Sequence, residues 1–200
     1  CASGIKLEKE FGVSSVESEV AKLDTIIQSS NYLSKTIDDF RNFFKPNKEK
    51  NYFSIEEMTE QSISLINASF AFHYIKINKN FANIEKVFGF PNEFSQAILN
   101  VLANAKDVLV QKEIENPQVN INIYENEEFG FLEIEDNGGG INPNILIKIF
   151  EPYFTTKEKN QGTGIGLYMS KMIVEKNMSG KLTVINTSIG AKFIFAIPKE

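Results

Sequence analysis

The hydrophobic pattern changes in type after Phe44, and this change constrains the fold more than any other feature of the chain. From Val16 to Phe44 apolar residues recur at spacings of three and four, which predicts one long amphipathic helix. Helix and strand patterns then follow in mixed order. The predicted helices are Ser54–Ile66 (with Ser54 as N-cap), Asn92–Glu113 and Gly164–Asn177, and the predicted strands are Ala71–Ile77, Val119–Tyr124, Phe131–Glu135, Lys181–Ile185 and Lys192–Ile197. Because strands follow one another late in the chain, we expect an α+β fold, a two-layer sandwich whose mixed sheet carries helices on one face.

Composition narrows the class of protein. The chain has 200 residues, of which 42% are hydrophobic, enough for a sizeable core. A net charge of −5 without a lysine or arginine block argues against a nucleic-acid partner. The single cysteine, Cys1, excludes an internal disulfide and fits a reducing compartment.

No apolar run approaches the roughly 18 residues of a membrane span, so we expect a cytoplasmic location. Since the chain lacks an initiating Met, we also expect it to begin within a longer protein, whose membrane attachment stays open.

Three glycines at alternate positions, Gly162, Gly164 and Gly166, open the last predicted helix. Glycines at such a point can let backbone N–H groups approach phosphate oxygens at a helix N-terminus. They are equally common at helix starts for purely conformational reasons. This stretch alone therefore leaves a phosphate cradle and a flexible loop end evenly balanced.

A second glycine cluster follows a predicted strand directly. The strand ends in Asp136, and Gly138, Gly139 and Gly140 come just after it. A tight turn explains an aspartate and glycines, but three glycines in succession cost more ordering entropy than a simple turn requires. A carboxylate at the end of a buried strand can accept a hydrogen bond from an exocyclic amine, and the glycines leave room for a flat ring. This cluster predicts a site that prefers adenine over guanine.

Two asparagines lie four residues apart in the predicted helix at 92–113. Asn100 and Asn104 therefore share one face, while Ile98, Val101 and Leu102 face the core. Asparagine is a poor helix former, and a solvated polar pair is the alternative interpretation. An amide oxygen is a suitable hard ligand for Mg²⁺ held mainly by nucleotide phosphates.

The segment between the two glycine clusters carries aromatic residues in a polar setting. Phe150 and Phe154 enclose Glu-Pro-Tyr, and Lys157 follows before a polar run. Exposed aromatics at this position predict a mobile lid over a ligand, with an ordinary surface loop as the alternative.

Four motifs now stand in a fixed order along the chain: Asn100-x-x-x-Asn104-Ala, Asp136-x-Gly-x-Gly140, Phe150-Glu-Pro-Tyr-Phe154 and Gly162-x-Gly-x-Gly166-Leu. They resemble the asparagine, glycine and phenylalanine boxes of the catalytic ATP-binding domain of sensor histidine kinases. Thr187–Phe193, with Gly190, is similar to that family's last glycine box. The resemblance covers about Phe53 to Pro198. It implies the Bergerat ATP-binding fold shared with DNA gyrase, the MutL proteins and a class of heat-shock chaperones.

The resemblance implies ATP and Mg²⁺ as cofactors and a role for each motif. Asp136 would bind the adenine amine, Asn104 would ligate Mg²⁺, and Asn100 would assist near the phosphates as the catalytic residue. The last glycine-rich motif would cradle the phosphates. The other nucleotide contacts so implied are Gly138, Gly140, Phe150, Phe154, Lys157, Gly162, Thr163, Gly164, Ile165, Gly166 and Leu167.

One position favours a kinase over a hydrolase. The hydrolytic members of the superfamily carry a glutamate, the general base, four residues before the metal-binding asparagine. This chain has Asn100 there, and an amide cannot accept a proton at neutral pH. We therefore expect phosphoryl transfer, achieved by positioning and metal electrostatics, rather than efficient hydrolysis.

The phosphate acceptor is the missing part of this interpretation. In the family, a histidine on the first helix of a dimeric helical hairpin receives the phosphate and passes it to the receiver domain of a response regulator. The one histidine here, His73, lies in a strand-like pattern and is expected to be structural. Val16–Phe44 resembles the second arm of that hairpin. We therefore divide the chain into a partial dimerisation hairpin at 1–46, without the acceptor, and a catalytic domain at 51–200. We expect a homodimer that cannot phosphorylate itself from this segment alone.

Two alternatives of other classes stay open. An anti-sigma-type serine kinase shares the fold, but such proteins lack the long N-terminal helix. A non-enzymatic module that binds nucleotide only to control a partner is the other alternative.

Overall fold

A computed structural model describes residues 49–157 and 162–199, together with Val20, Lys22, Leu23, Ile26 and Ile27. The chain divides into two compact units, residues 1–46 with 155–163, and residues 47–154 with 164–200. In the first unit, the five described residues near the N-terminus are helical. Val20, Leu23 and Ile27 are each about half exposed. The rest of the predicted helix at 16–44 lies outside the described residues.

The second unit is built on a five-stranded mixed sheet. Its elements in chain order are β1 (Asn51–Phe53), α1 (Ile55–Phe72), β2 (Lys76–Phe81), β3 (Val87–Gly89), α2 (Pro91–Gln111), β4 (Gln118–Glu125), β5 (Phe129–Asp136), short 3₁₀ turns at Pro143–Ile145 and Lys148–Phe150, α3 (Gly166–Met172), a π-helical turn at Ile173–Asn177, β6 (Lys181–Asn186) and β7 (Ala191–Pro198). The strand order is β2-β4-β5-β7-β6, in which β2 and β4 are parallel and the other neighbours antiparallel. Strands β1 and β3 form a separate antiparallel ribbon.

Helices cover one face of this sheet, and α2 is the central helix of that layer. It packs against both α1 and α3 and lies against β5. Phe94 of α2 meets Phe195 of β7 edge to face at 5.8 Å, and both side chains are fully buried. Alternate residues of β5 and β7 are buried, as expected for strands with one face on the core. The predicted α+β sandwich is confirmed.

The first helix of this unit begins as predicted but runs further than expected. The Ser54 side chain caps it by accepting a hydrogen bond from the Glu57 N–H. The predicted strand Ala71–Ile77 is wrong up to Ile75, because α1 continues to Phe72 and a turn follows, so only Lys76 and Ile77 lie in a strand. Phe70 lies seven residues after Ile63 on the same buried helical face, and this burial outweighs the strand preference of its aromatic neighbours.

The end of α1 is a turn rather than a strand. His73 is its C-cap, Tyr74 has a positive φ of 55°, and the Ile75 N–H donates to the Phe70 carbonyl at 2.9 Å. The His73 ring packs edge to face on Phe72, with the ring centroids 5.0 Å apart. Strand β2 begins only at Lys76, since the chain must leave the helix before it can pair with β4.

The other elements predicted for the second unit are confirmed with shifted ends. Helix α2 begins at Pro91, a residue well suited to the first helical position. The last predicted helix is α3 followed by the π-helical turn. In the part of the chain that the structure describes, no helix combines the length and hydrophobicity that crossing a membrane requires.

Candidate nucleotide-binding site

Asp136 is a buried carboxylate at the end of a central strand. It is 5% exposed at the last position of β5, and its Oδ1 accepts hydrogen bonds from the N–H of Gly138 at 2.8 Å and of Ala191 at 3.4 Å. Burial raises the pKa of Asp136 above its ordinary value, while these hydrogen bonds and the positive charge of Lys112 oppose the rise. The side chain is thus a fixed acceptor inside the fold.

The start of β7 approaches Asp136 so closely that only glycine fits there. A Cβ on Gly190 would lie 1.9 Å from the Asp136 carbonyl oxygen, far inside van der Waals contact. Gly190 belongs to the glycine stretch at 187–193, which the sequence analysis compared with a family box. Its physical purpose is to let the β6–β7 turn close on the end of β5.

The loop after Asp136 is held from its two sides. From the β6–β7 side, the Asn186 amide accepts from the Ile141 N–H at 2.8 Å and donates to the Ile141 carbonyl at 2.7 Å. From the end of α2, the Lys112 ammonium donates to the Gly138 carbonyl at 2.6 Å. Gly139 and Gly140 within the loop both have φ of 78°. These hydrogen bonds fix the conformation of the loop, which contains the predicted contact residues Gly138 and Gly140.

Asn100 ties the central helix to α3. Its Nδ2 donates to the Gly166 carbonyl at 3.1 Å and to the Ser170 hydroxyl at 3.2 Å, and its Oδ1 accepts from Gln96 at 3.3 Å. Ser170 is fully buried and also donates to the Gly166 carbonyl at 3.0 Å. Asn104 stands one turn further along α2 and is half-buried. The amide pair predicted from the sequence is thus anchored at one end in the packing of two helices.

Phe150 is more enclosed than the sequence suggested. It is half-buried, with the Lys171 ammonium 4.8 Å from its ring centroid and the Phe193 ring edge to face at 6.4 Å. Phe154 is half-buried as well, and Tyr153 between them is exposed. The expectation of exposed aromatics therefore holds for Tyr153 and fails for the two phenylalanines, because the sheet and α3 offer Phe150 an apolar and a cationic neighbour.

Gly164 joins the aromatic segment to the start of α3. Its carbonyl accepts from the Tyr153 N–H at 3.0 Å, and a Cβ on it would lie 2.4 Å from the Tyr153 carbonyl carbon. With φ of 65°, this position requires glycine on conformational grounds as well. Ile165, Gly166 and Leu167 follow as half-buried residues where α3 begins.

Three predicted contact residues fall in the other unit. Lys157, Gly162 and Thr163 belong to the segment 155–163. Within that segment the Lys157 N–H donates to the Thr155 hydroxyl at 3.1 Å. The role of these three residues in nucleotide binding stays a prediction. The second unit brings together the remaining predicted site residues: Asn100, Asn104, Asp136, Gly138, Gly140, Phe150, Phe154, Gly164, Ile165, Gly166 and Leu167.

Three residues that carry no signal in the sequence, Lys112, Ser170 and Asn186, also lie at the site. Lys112 and Ser170 each contact a residue of a predicted site motif, and Asn186 contacts Ile141, directly after one. No local pattern marks them, since a lysine at a helix end, a serine in a helix and an asparagine at a strand end are ordinary residues. Only their distant partners give them a place in the site.

The described residues offer no cluster of carboxylate, imidazole or thiolate ligands for a metal ion. Among the residues that the structure describes, no group of three or more histidine, cysteine, aspartate or glutamate side chains could hold a metal ion. The polar side chains of α2 at the site are amides, which suit a hard cation held mostly by a ligand's own oxygens.

Comparison with known proteins decides the family. The model of the histidine kinase-, DNA gyrase B- and HSP90-like ATPase family matches residues 89–200. The chain belongs to this ATPase family. Its ATP-binding domain is of the sensor histidine kinase type, and the resemblance drawn from the four motifs is confirmed.

Individual relatives agree with this assignment. The chain is similar to the two-component sensor PprA of Pseudomonas aeruginosa, with 42% identity over 115 residues that cover 56% of this chain and 12% of the sensor. The solved catalytic domain of the histidine kinase ThkA is 26% identical with a TM-score of 0.66, over 76% of this chain and 98% of that domain. The solved complex of ThkA with the response regulator protein TrrA superimposes with a TM-score of 0.76 at 21% identity, over 99% of this chain and 56% of the ThkA chain, a likeness of fold alone. The chain spans only 12 to 19% of the length of the first curated relatives it matches.

Proposed function

We propose that this chain is the catalytic part of a sensor histidine kinase and transfers the γ-phosphate of ATP to a histidine side chain. The observation that carries the proposal is a combination of two features. Asp136 is a buried carboxylate, and an amide, Asn100, occupies the position where hydrolytic relatives place a glutamate. The carboxylate serves base recognition, and the amide leaves no general base for water. The nucleotide is therefore bound and kept intact until an acceptor arrives.

Adenine recognition rests on Asp136. The hydrogen bonds from Gly138 and Ala191 both go to Oδ1, so Oδ2 is the oxygen offered to the exocyclic amine of adenine. A hydrogen bond to a charged acceptor contributes about 1.5–3 kcal/mol. Guanine carries a carbonyl at the corresponding ring position and would meet the carboxylate with like partial charge. We expect ATP to be preferred over GTP for this reason.

Asn104 is the proposed Mg²⁺ ligand. Since the described residues hold no carboxylate cluster for a metal ion, an amide oxygen fits an ion held chiefly by the phosphates of the nucleotide. When bound, Mg²⁺ neutralises the charge that develops on the leaving diphosphate. The chain's own contribution is to hold the amide on α2, beside the Asn100 contacts that fix α3.

The phosphates are assigned to the glycine-rich stretch that leads into α3. Gly164, Ile165, Gly166 and Leu167 lie in the same unit as Asp136, and we place the phosphate contacts on their backbone. Phe150 and Phe154 would flank the ligand. Roles for Lys157, Gly162 and Thr163 in nucleotide binding stay predictions from the family resemblance.

The proposed reaction balances as a phosphoryl transfer. A ring nitrogen of the acceptor histidine bonds to the γ-phosphorus, the bond from that phosphorus to the bridging oxygen breaks, and ADP leaves as the imidazole N–H proton is released. We place the acceptor on the dimerisation hairpin of the same protein in a homodimer. The phosphate then passes to an aspartate of a response regulator, the kind of partner named for ThkA.

Calorimetry tests the nucleotide part of this proposal. We expect Mg²⁺-dependent binding of ATP, much weaker binding of GTP, and at least about a tenfold loss of ATP affinity in Asp136→Asn. Glu135→Gln is the matched control, because Glu135 points to the opposite face of the sheet, where it lies 3.9 Å from Lys192. An unchanged affinity in Asp136→Asn would remove the basis of the proposed adenine site.

Labelling of the full-length protein tests the transfer. With ATP labelled on its γ-phosphate, we expect an acid-labile, base-stable phosphoprotein, as a phosphoramidate bond requires. An acid-stable label on serine would favour the anti-sigma-type kinase. ATP binding without any label would favour the nucleotide-dependent interaction module instead.

A further inference from the structure

The loop that follows Asp136 forms the wall of the proposed adenine site, and most of its fixed points come from the sheet side. The Gly138 N–H is held by the Asp136 carboxylate, the Gly139 N–H by the Ile189 carbonyl at 2.9 Å, and the Ile141 backbone by Asn186. These contacts leave the carbonyl of Gly138 to be held from the helix layer.

Lys112 makes that contact. It is the C-cap of α2, and its own N–H donates to the Val108 carbonyl at 3.0 Å, so its backbone is part of the helix end. Its ammonium lies 2.6 Å from the Gly138 carbonyl oxygen, a short distance typical of a charge-assisted hydrogen bond. Helix α2 also carries Asn100 and Asn104. Lys112 therefore connects the helix of these two asparagines directly to the loop that follows Asp136.

We propose that Lys112 is a positioning residue for adenine binding, which holds the Gly138 carbonyl and so fixes the loop in the conformation that presents Asp136 to the base. The inference rests on the proposed function, because it concerns the same site. Lys112 itself does not touch the nucleotide. Its role is to remove, before binding, the loop freedom that successive glycines would otherwise have.

The charge of Lys112 acts on Asp136 as well. It lowers the pKa of the buried carboxyl and so opposes the effect of burial. Among the described residues, Val119 of β4 is the strand partner of Asp136, Gly138 and Ala191 donate backbone N–H to it, and Lys112 supplies the charge that acts on its pKa. Neighbouring Glu135 pairs with Lys192 across the other face of the sheet. Loss of the Lys112 charge should therefore raise the pKa of Asp136 and shift the acid limb of nucleotide binding to higher pH.

Three variants test this inference with two readouts. Lys112→Met removes the donor and the charge, Lys112→Arg keeps both, and Lys176→Met removes an exposed lysine at another helical end, which controls for the helix dipole. Hydrogen exchange of the nucleotide-free protein reports the loop at the Gly138, Gly139 and Ile141 amides. Calorimetry with ADP over the acid range reports affinity and its pH profile.

We expect Lys112→Met to exchange these amides about tenfold faster, to bind ADP about tenfold more weakly, and to lose binding at a higher pH than the parent. In Lys112→Arg, the amide exchange rates, the ADP affinity and the pH at which binding is lost should be close to those of the parent. Loop exchange like that of Lys176→Met would overturn the inference, and so would weaker binding with an unmoved pH profile. A parent protein that binds no nucleotide would contradict the proposed function. The exchange measurement needs no ligand, so it would still show whether Lys112 holds the loop.

Discussion

The side-chain amide of Asn100 donates to the hydroxyl of Ser170, 3.2 Å away, although 70 positions separate the two residues in the chain. The same amide donates to the Gly166 carbonyl, which Ser170 also reaches. Helix α2 is thereby joined to the first turns of α3 by a small buried network. Asn100, on which the proposed choice of a kinase over a hydrolase rests, thus also supports the phosphate side of the proposed site.

Ser170→Ala should destabilise the second unit by about 1–2 kcal/mol, because the hydroxyl is fully buried and its partners keep their polar groups. Urea unfolding measures the free energy. Ser64→Ala on the exposed face of α1 is the matched control, since both changes carry the same gain in helix propensity. Equal stability of the two variants would show that the network contributes nothing.

Gly190→Ala should be severely destabilising. The added Cβ would lie 1.9 Å from the backbone oxygen of Asp136, and neither strand end can move without breaking the sheet register, so we expect a loss of more than about 3 kcal/mol. Thermal unfolding followed by circular dichroism measures it.

Gly89→Ala provides the comparison for that change. Its Cβ would lie 3.1 Å from the end of the flexible Met178 side chain, which can shift at little cost. A Gly190→Ala protein as stable as Gly89→Ala would mean that the β6–β7 turn does not close on β5 as described.

Phe150 and Lys171 should show a measurable coupling energy. The ammonium lies 4.8 Å from the ring centroid, a geometry worth about 0.5–1 kcal/mol at a partly exposed site. Lys171 also approaches Glu175 at 3.8 Å, so the single variant Lys171→Met reports both contacts. A double-mutant cycle with Phe150→Leu separates them, and a coupling energy of zero would contradict the contact.

Asp136 should give stability a pH dependence opposite to that of an ordinary paired carboxylate. Because burial raises its pKa in the folded state, folding favours its protonated form. Its contribution is therefore most favourable on the acid side and falls as pH rises from the ordinary carboxyl pKa through the raised one. Unfolding free energies measured across this window should show a flatter profile in Asp136→Asn than in the parent.

Protonation of Asp136 should also set the lowest pH at which nucleotide binds. The adenine amine needs an acceptor, so protonation of Asp136 should abolish binding at a higher pH than an ordinary aspartate would. An acid limb at the usual aspartate pKa, measured by ADP calorimetry, would speak against Asp136 as the base-binding group.

The sequence predicts an element of this fold well where local side-chain burial decides it, and poorly where contacts between distant segments decide it. Periodicity predicted α2 and the four strands of the second half correctly, because side-chain burial repeats locally in helices and strands. It failed at 71–75, where the aromatic composition favoured a strand while Phe70 extended the buried face of α1. There the burial of one helix face outweighed local preference, and no short window contains that information.

The sequence by itself determined the family and suggested the motifs of the proposed site, since the spacing of asparagines and glycines is a local property of the chain. The tertiary structure alone decided which residues hold those motifs in place. Lys112, Asn186 and Ser170 meet their partners at Gly138, Ile141 and Asn100 across 26, 45 and 70 positions. The physical reason is that a hydrogen bond between distant segments leaves no periodic trace in either one, so it becomes visible only when the fold brings the two groups within reach.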